Sequence, residues 1–236
     1  MSIFYATPAT GLWRLFFGAD DPKTVAVVGA GGKTSLVKTL AAELSGMGRR
    51  VVITTTTKMH PPEDRNLLCA SPDEVRSLLL QKSPVWAGVY FNEYKIEGLP
   101  VPLSELSAVA DHVLIEADGA KKLPLKMIDA SHEPVIPPET EAVIAAAGLD
   151  GIGNPLSETV HRPEIACKAL DCGMDHLVTP EDAARLLEIC YRPKYVLFNK
   201  ADTDKARAYA ERAAARLPNA RCVIASLREF GYYETR

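Results

Sequence analysis

The stretch Thr24–Leu36, TVAVVGAGGKTSL, decides how this chain folds. It opens on Val25, Ala26, Val27 and Val28, a run too short and too branched for a helix of its own. A segment apolar at every position suits a strand buried on both faces of a parallel sheet. Gly29, Gly31 and Gly32 follow with Ala30 between them, and without Cβ atoms the glycine backbone can close on phosphate oxygens. Lys33-Thr34-Ser35 then opens a helix whose positive end points at the same place. In such a cradle Lys33 reaches the outer phosphates of a nucleotide and the Thr34 hydroxyl holds Mg²⁺.

The usual phosphate-loop pattern, G-x-x-x-x-G-K-S/T, is incomplete, because Val27 stands where the first glycine belongs. The shorter G-x-x-G-K-T survives as Gly29 through Thr34 and is similar to the loop of Mur-type ligases. After it, Leu36, Leu40, Ala41 and Leu44 recur at helical spacing until Gly46 and Gly48. Arg50–Thr55 reads as the next strand and runs into Thr54–Thr57, Lys58 and His60-Pro61-Pro62. Ligands of open parallel sheets sit beyond the carboxyl ends of strands, so Thr56, Thr57 and Lys58 are expected near the phosphates. For Thr54 and Thr55 two readings stand, a ligand role or plain β-branched continuation of the strand.

His112–Ile115 is a third apolar strand, and it leads into Glu116-Ala117-Asp118-Gly119-Ala120-Lys121-Lys122. Strand side chains alternate, so Glu116 and Asp118 are expected on one side at the carboxyl end. Two carboxylates there call for a cation, so both are candidate Mg²⁺ ligands and, with Lys33, candidate catalytic residues. Which of the pair binds the metal stays open: Asp118 fits an apolar strand followed by Asp, and Glu116 with Gly119 fits D-x-x-G with Glu substituted. Lys121 and Lys122 could neutralise phosphate charge.

A second motif lies at Tyr195–Asp202, YVLFNKAD. A strand through Val196, Leu197 and Phe198 ends in Asn199-Lys200-Ala201-Asp202, an N-K-x-D sequence. The Asp202 carboxylate can accept hydrogen bonds from N1–H and the 2-amino group of guanine, which adenine does not offer. Asn199 would support the loop and the Lys200 stem would lie along the base. After a helix over Asp204–Leu217, strand Arg221–Ala225 runs into Ala225-Ser226-Leu227, which resembles the S-A-K/L loop whose backbone supports guanine O6.

Composition excludes several classes. The net charge is −3 with 47% hydrophobic residues and no long single-sign run, so neither a nucleic-acid stripe nor a polybasic membrane anchor is expected. No stretch approaches about 18 continuous apolar residues. Five scattered cysteines, Cys69, Cys167, Cys172, Cys190 and Cys222, form no C-x-x-C pair and suggest a reducing, cytoplasmic setting. A chain of 236 residues fits a single domain over 1–236.

Within that domain, residues 1–23 are expected to be a helical extension built on the amphipathic Gly11–Gly18 piece. A helix from Ser71-Pro72 through Gln81, a strand over Val85–Phe91 and a hairpin or excursion over Glu93–Leu103 follow. Ser104–Ala110 is a short helix, Leu123–Pro138 a long irregular stretch, Ala142–Ala147 a strand, and His161-Arg162-Pro163 starts a helix through Leu170. The long loops within 121–163 border the active-site edge, and Arg162 is a candidate phosphate clamp. The class expected is α/β, P-loop NTPase-like and doubly wound, with a mainly parallel sheet and helices on both faces.

Taken together, VVGAGGKTSL, TTTTKM, IEADGAKKLPLK, HEPVIP and VHRPEIACKA resemble the YqeC family over roughly residues 10–227. The resemblance implies an accessory role in maturing a selenium-dependent molybdenum hydroxylase, with that enzyme or its cofactor-maturation proteins as partner. The residues themselves imply Mg²⁺-dependent binding of GTP in preference to ATP, with slow hydrolysis. Two other readings stand: a nucleotide-gated switch without turnover of its own, and an ATP-using kinase or ligase that activates a small substrate.

Overall fold

The computed structural model of the chain describes residues 2–129 and 131–230; Met1, Ala130 and 231–236, all inside the expected domain, lie outside the described residues. In chain order the first elements are β1 (Ser2–Tyr5), α1 (Trp13–Phe17), β2 (Thr24–Gly29), α2 (Lys33–Gly46), β3 (Val51–Thr55), β4 (Lys58–Met59) and β5 (Leu68–Cys69). Next come α3 (Pro72–Leu79), β6 (Val85–Ala87), β7 (Val89–Asn92), β8 (Lys95–Glu97), α4 (Leu103–Val109), β9 (His112–Glu116) and β10 (Leu125–Lys126). The remainder is β11 (Ala142–Gly148), α5 (Leu156–Thr159), β12 (Val160–His161), α6 (Pro163–Leu170), α7 (Pro180–Tyr191), β13 (Tyr195–Asn199), α8 (Asp204–Ala214) and β14 (Arg221–Ala225).

Nine strands make one sheet in the order β1-β14-β13-β11-β2-β9-β3-β6-β5, with parallel neighbours throughout. The fold is α/β, and β2 is the middle strand. Its residues alternate between two cores. Val25 and Val27 pack with Trp13 and Phe16 of α1 and Leu36, Leu40 and Leu44 of α2. Ala26 and Val28 face the other core, with Val75 of α3, Leu106 of α4, Ala166 of α6, Ala183 of α7 and Ala210 of α8. Helices thus cover both faces, which is why β2 can be apolar at every position. Each fully buried aliphatic side chain contributes about 1.5–3 kcal/mol, so this strand is firmly held in the sheet.

Register brings the carboxyl ends together. Val27 and Thr55 both sit opposite Glu116, Gly29 opposite Ala146, and Asn199 opposite both Gly148 and Ala225. The loops after β2, β3, β9, β11, β13 and β14 therefore leave from one edge.

Three expectations need correction. The N-terminal segment is not purely helical, since Ser2–Tyr5 adds to the sheet beside β14 as an edge strand. Four residues paired on one side only leave no period long enough to read. The Val85–Phe91 strand is two strands in two sheets, because the chain breaks at Gly88: β6 stays in the large sheet, and β7 joins the antiparallel trio β4-β8-β7. A Cβ at Gly88 would lie 2.6 Å from the Glu97 carbonyl oxygen, so the break requires glycine. The Leu123–Pro138 stretch is not wholly irregular, since β10 pairs in parallel with β12. The Glu93–Leu103 excursion is a hairpin at its start, formed by β7 and β8. Helix α7 is unanticipated above, although Thr179-Pro180-Glu181-Asp182 spells its start: Thr179 and Asp182 form a capping box. Among the described residues, no helix is long and apolar enough to cross a membrane. All five cysteines are free.

Candidate functional site

The loop between β2 and α2 is shaped by close backbone approaches. A Cβ at Gly29 would come within 2.3 Å of the Ala146 carbonyl oxygen, and one at Gly31 within 2.2 Å of the Gly148 nitrogen. Both glycines have positive φ, 88° and 74°. The loop is laced to its neighbours: Ala30 N–H donates to Ala146 O (2.9 Å) and Gly31 N–H to Leu123 O (3.1 Å). Helix α2 begins at Lys33 with Gly32 as its N-cap and no side-chain cap. The N–H groups of its first turn have no intrahelical acceptor, which leaves them free for an anion.

Lys33 is buried, and its Nζ donates to Gly29 O (2.9 Å), folding the side chain back over the loop. Burial lowers its pKa, against the pull of Glu116 and Asp118. A ligand phosphate would supply the counter-charge that the loop carbonyl only approximates. Thr34 Oγ1 donates to Glu116 Oε2 at 2.6 Å.

Glu116 and Asp118 do not share a side. The strand ends at Glu116, so alternation no longer governs Asp118. Glu116 turns toward the start of α2. Asp118, fully buried, turns toward the opposite helical layer, where Tyr191 of α7 donates its hydroxyl to Asp118 Oδ2 (2.6 Å). Asp118 also accepts from the Gly29 N–H (3.1 Å) and from Lys126. Lys126, buried in β10, donates further to Gly119 O and Glu133, and Arg162 Nη1 donates to Glu133 Oε2 (2.8 Å). Burial pushes Glu133 up, but its bonds from Lys126 and Arg162 outweigh this and hold the carboxyl below the ordinary range. Burial and then Asp118 drive the Tyr191 hydroxyl well up, so it remains a donor.

A cavity of about 470 Å³ opens over this loop. Gly31, Gly32, Lys33, Thr34, Ser35 and Glu116 form one wall. Lys58, Lys95, Lys121, Lys122 and Lys200 supply most of the rest with Met59 and His60. Six lysines against one carboxylate give the cavity a positive field that attracts anions. A smaller cavity of about 230 Å³ adjoins it, with Ser35 and Lys200 lining both. Its other walls are Asn199, Asp202, Ser226, Leu227 and Arg228. Asn199 joins three loops: its Nδ2 donates to Gly31 O (2.8 Å), and its Oδ1 accepts from the Leu227 N–H (3.1 Å). Ser226 donates to Asp202 Oδ1, and Lys200 Nζ bonds Asp150 Oδ2 (2.6 Å).

Gly29, Ala30, Gly31, Gly32, Lys33, Thr34, Ser35, Glu116, Asn199, Lys200, Asp202 and Ser226 thus lie along one sheet edge, with Asp118 behind the loop. The threonines mostly serve the backbone: Thr54, Thr55 and Thr56 donate to the carbonyls of Ala87, Glu116 and Val135, and Thr57 N–H donates to Thr55 Oγ1. Lys126 and Tyr191 went unread in the sequence. Lys126 lies within the segment IEADGAKKLPLK, but nothing in its spacing shows that it is buried, and Tyr191 lies 73 residues from its partner.

The YqeC protein family profile matches residues 25–164, a narrower span than the 10–227 read above. "Uncharacterized protein YqeC" of Escherichia coli (strain K12) is 40% identical over 153 residues, which is 60% of this chain. The chain spans only 58% of the length of that relative. The profile contains the phosphate loop, Glu116, Asp118, Lys126, Glu133 and Arg162, and ends before Asn199; more than half of the chain matches, and the chain belongs to the YqeC family.

Proposed function

We propose that this protein binds a purine nucleoside triphosphate with Mg²⁺, taking GTP in preference to ATP, and hydrolyses it slowly. The observation that carries the reading is Asn199, whose side chain ties the phosphate loop at Gly31 to the base-side loop at Leu227. Two motifs that begin 170 residues apart, at Gly29 and Asn199, thereby flank two adjoining cavities sized for phosphates and a base.

In this reading the α2 N-terminus and Lys33 hold the β- and γ-phosphates, and Lys33 exchanges Gly29 O for a phosphate oxygen. Thr34 and Glu116, already 2.6 Å apart, offer one hydroxyl and one carboxylate, the donor set that Mg²⁺ takes together with substrate phosphates. When bound, the metal would neutralise charge on the outer phosphates. Asp202 accepts from the guanine edge, and Ser226 orients its carboxylate. Asp118 acts from behind, fixing the Gly29 N–H and the buried Lys126. Slow hydrolysis fits Glu116, the one carboxylate among the cavity-lining residues, being engaged by Thr34 and so poorly placed to orient water.

Service to a selenium-dependent molybdenum hydroxylase as a maturation factor follows from the family resemblance, and a cytoplasmic setting from the scattered cysteines; each is proposed on that ground. The nucleotide reading is tested with Lys33→Ala. Turnover is expected to fall about 10²–10³-fold, the usual effect of removing one preorganised donor, with Mg·GTP affinity falling alongside. A variant that binds and turns over nucleotide like wild type would overturn it.

A further inference from the structure

A second cleft, about 590 Å³, borders the same Gly119–Leu123 loop. It shares Gly119, Ala120, Lys121 and Leu123 with the phosphate cavity, so the two adjoin at a single loop. The remaining wall includes Glu133, Ser157, His161, Arg162 and Glu164. We propose that this cleft holds a second, small substrate bearing a carboxylate or phosphate oxyanion, and that this oxyanion receives the terminal phosphoryl group where the two cavities meet. The proposal rests on the nucleotide reading and names the acceptor of the same site.

Charge points to an oxyanion. The cleft wall and the groups directly behind it carry three cations, Lys121, Lys126 and Arg162, against two carboxylates, Asp118 and Glu133, with Glu164 at the exposed rim. Arg162 uses Nη1 on Glu133, and a guanidinium carries five N–H donors in a planar fork. Glu133 is held by Lys126 and Arg162 together, so it keeps its charge and is a poor proton acceptor. His161 Nδ1 is buried with no hydrogen-bond partner among the described residues, and a polar atom left over in this way calls for an occupant or a water.

Backbone strain collects at the same place. Six described non-glycine residues have positive φ, and four of them, Lys121, Lys122, Arg162 and Lys200, line these cavities. Such conformations are costly for residues with a side chain and persist where the surroundings hold that side chain in a required direction.

The chemistry needs no base. An acceptor oxygen, already deprotonated, forms a bond to the γ-phosphorus; the bond from that phosphorus to the β,γ-bridging oxygen breaks, and GDP leaves with the electron pair. The products are GDP and an acyl phosphate or a phosphoanhydride, and no proton moves. Water, which must lose a proton, finds Glu116 held by Thr34 and Glu133 held by Lys126 and Arg162, which accounts for slow hydrolysis and faster transfer from one arrangement.

The test uses the full chain loaded with Mg²⁺ and the β,γ-imido analogue of GTP, so that the phosphate cavity is filled. Loading is measured first. Malonate and inorganic phosphate are then titrated separately by calorimetry. Saturable one-to-one binding of either anion is expected; phosphate alone indicates a phosphate-bearing substrate, and malonate alone a carboxylic acid. Arg162→Gln should weaken that binding about tenfold or more, as expected for a charge-assisted hydrogen bond. Ser157→Trp, on an exposed residue at the cleft, should abolish it while leaving analogue loading unchanged. With GTP in place of the analogue, the binding anion should accelerate GDP formation in wild type and not in Ser157→Trp. Binding of neither anion, binding unchanged in both variants, or no acceleration overturns the proposal. A chain that takes up no analogue fails earlier, at the nucleotide reading itself, and is told apart by the loading step.

Discussion

The phosphate half and the base half of the site are built differently. Behind the phosphate loop lies a buried network, Asp118, Lys126, Tyr191 and Glu133, which fixes Gly29 from the opposite helical layer. The base half has no such backing: Asp202 is an exposed residue, held by the Ser226 hydroxyl and a 3.7 Å ion pair with Arg228 in its own neighbourhood. The family profile covers the first half apart from Tyr191 and stops before the second. On the proposed reading, phosphate binding belongs to the buried frame of the sheet, and base choice is a side-chain decision added at one end of it. Changes behind the phosphate loop should cost stability, and changes at the base loop should cost selectivity.

The largest effect is expected from Asp118→Ala. It leaves Lys126 buried with one of its two carboxylates gone and strips the Gly29 N–H of its acceptor. Breaking a buried pair in this way costs about 3–5 kcal/mol, read by urea denaturation. A loss no larger than that of a surface substitution would remove the contrast between the halves.

Asn199→Ala should come next. It deletes two hydrogen bonds that join the halves, at about 1–3 kcal/mol of stability, and should weaken GTP and ATP alike because the phosphate loop itself loosens. If only GTP binding suffers, Asn199 belongs to the base half alone and the boundary moves.

Glu133→Gln gives the smallest effect, visible in pH dependence. The Glu133 carboxyl titrates below the ordinary glutamate range when folded. The unfolded chain therefore takes up the proton first as pH falls. The stability from Glu133 is fully present above the ordinary range and is lost as pH drops through its lowered pKa. The glutamine variant should show a flatter acid limb in thermal unfolding scans. An acid limb of unchanged slope would assign that limb to other carboxylates.

Much of this was legible in the chain. Val25–Val28 followed by three glycines and Lys-Thr fixes a buried strand, a loop and a helix in that order, and Asn199–Asp202 reads as a strand end. Pairings across layers were not legible. Alternation put Glu116 and Asp118 on one side, but the strand stops at Glu116, and the two carboxylates part toward α2 and α7. Lys126 looks like any loop lysine until β10 pairs with β12 and buries it. β1 was hidden because an edge strand of four residues carries too few alternations to register.

The most direct test of the central claim is a competition titration of the Mg²⁺-loaded chain with GTP, ATP and XTP, in wild type and Asp202→Asn. Asparagine keeps one oxygen to accept from N1–H, offers an amide donor to the 2-oxo group of xanthine, and removes the oxygen that accepts from the guanine 2-amino group. The account predicts GTP tighter than ATP in wild type. In the variant GTP should weaken about 10–100-fold, XTP should strengthen and ATP should stay unchanged, as for hydrogen bonds to a charged group. ATP binding as tight as GTP, indifferent to the substitution, would contradict it.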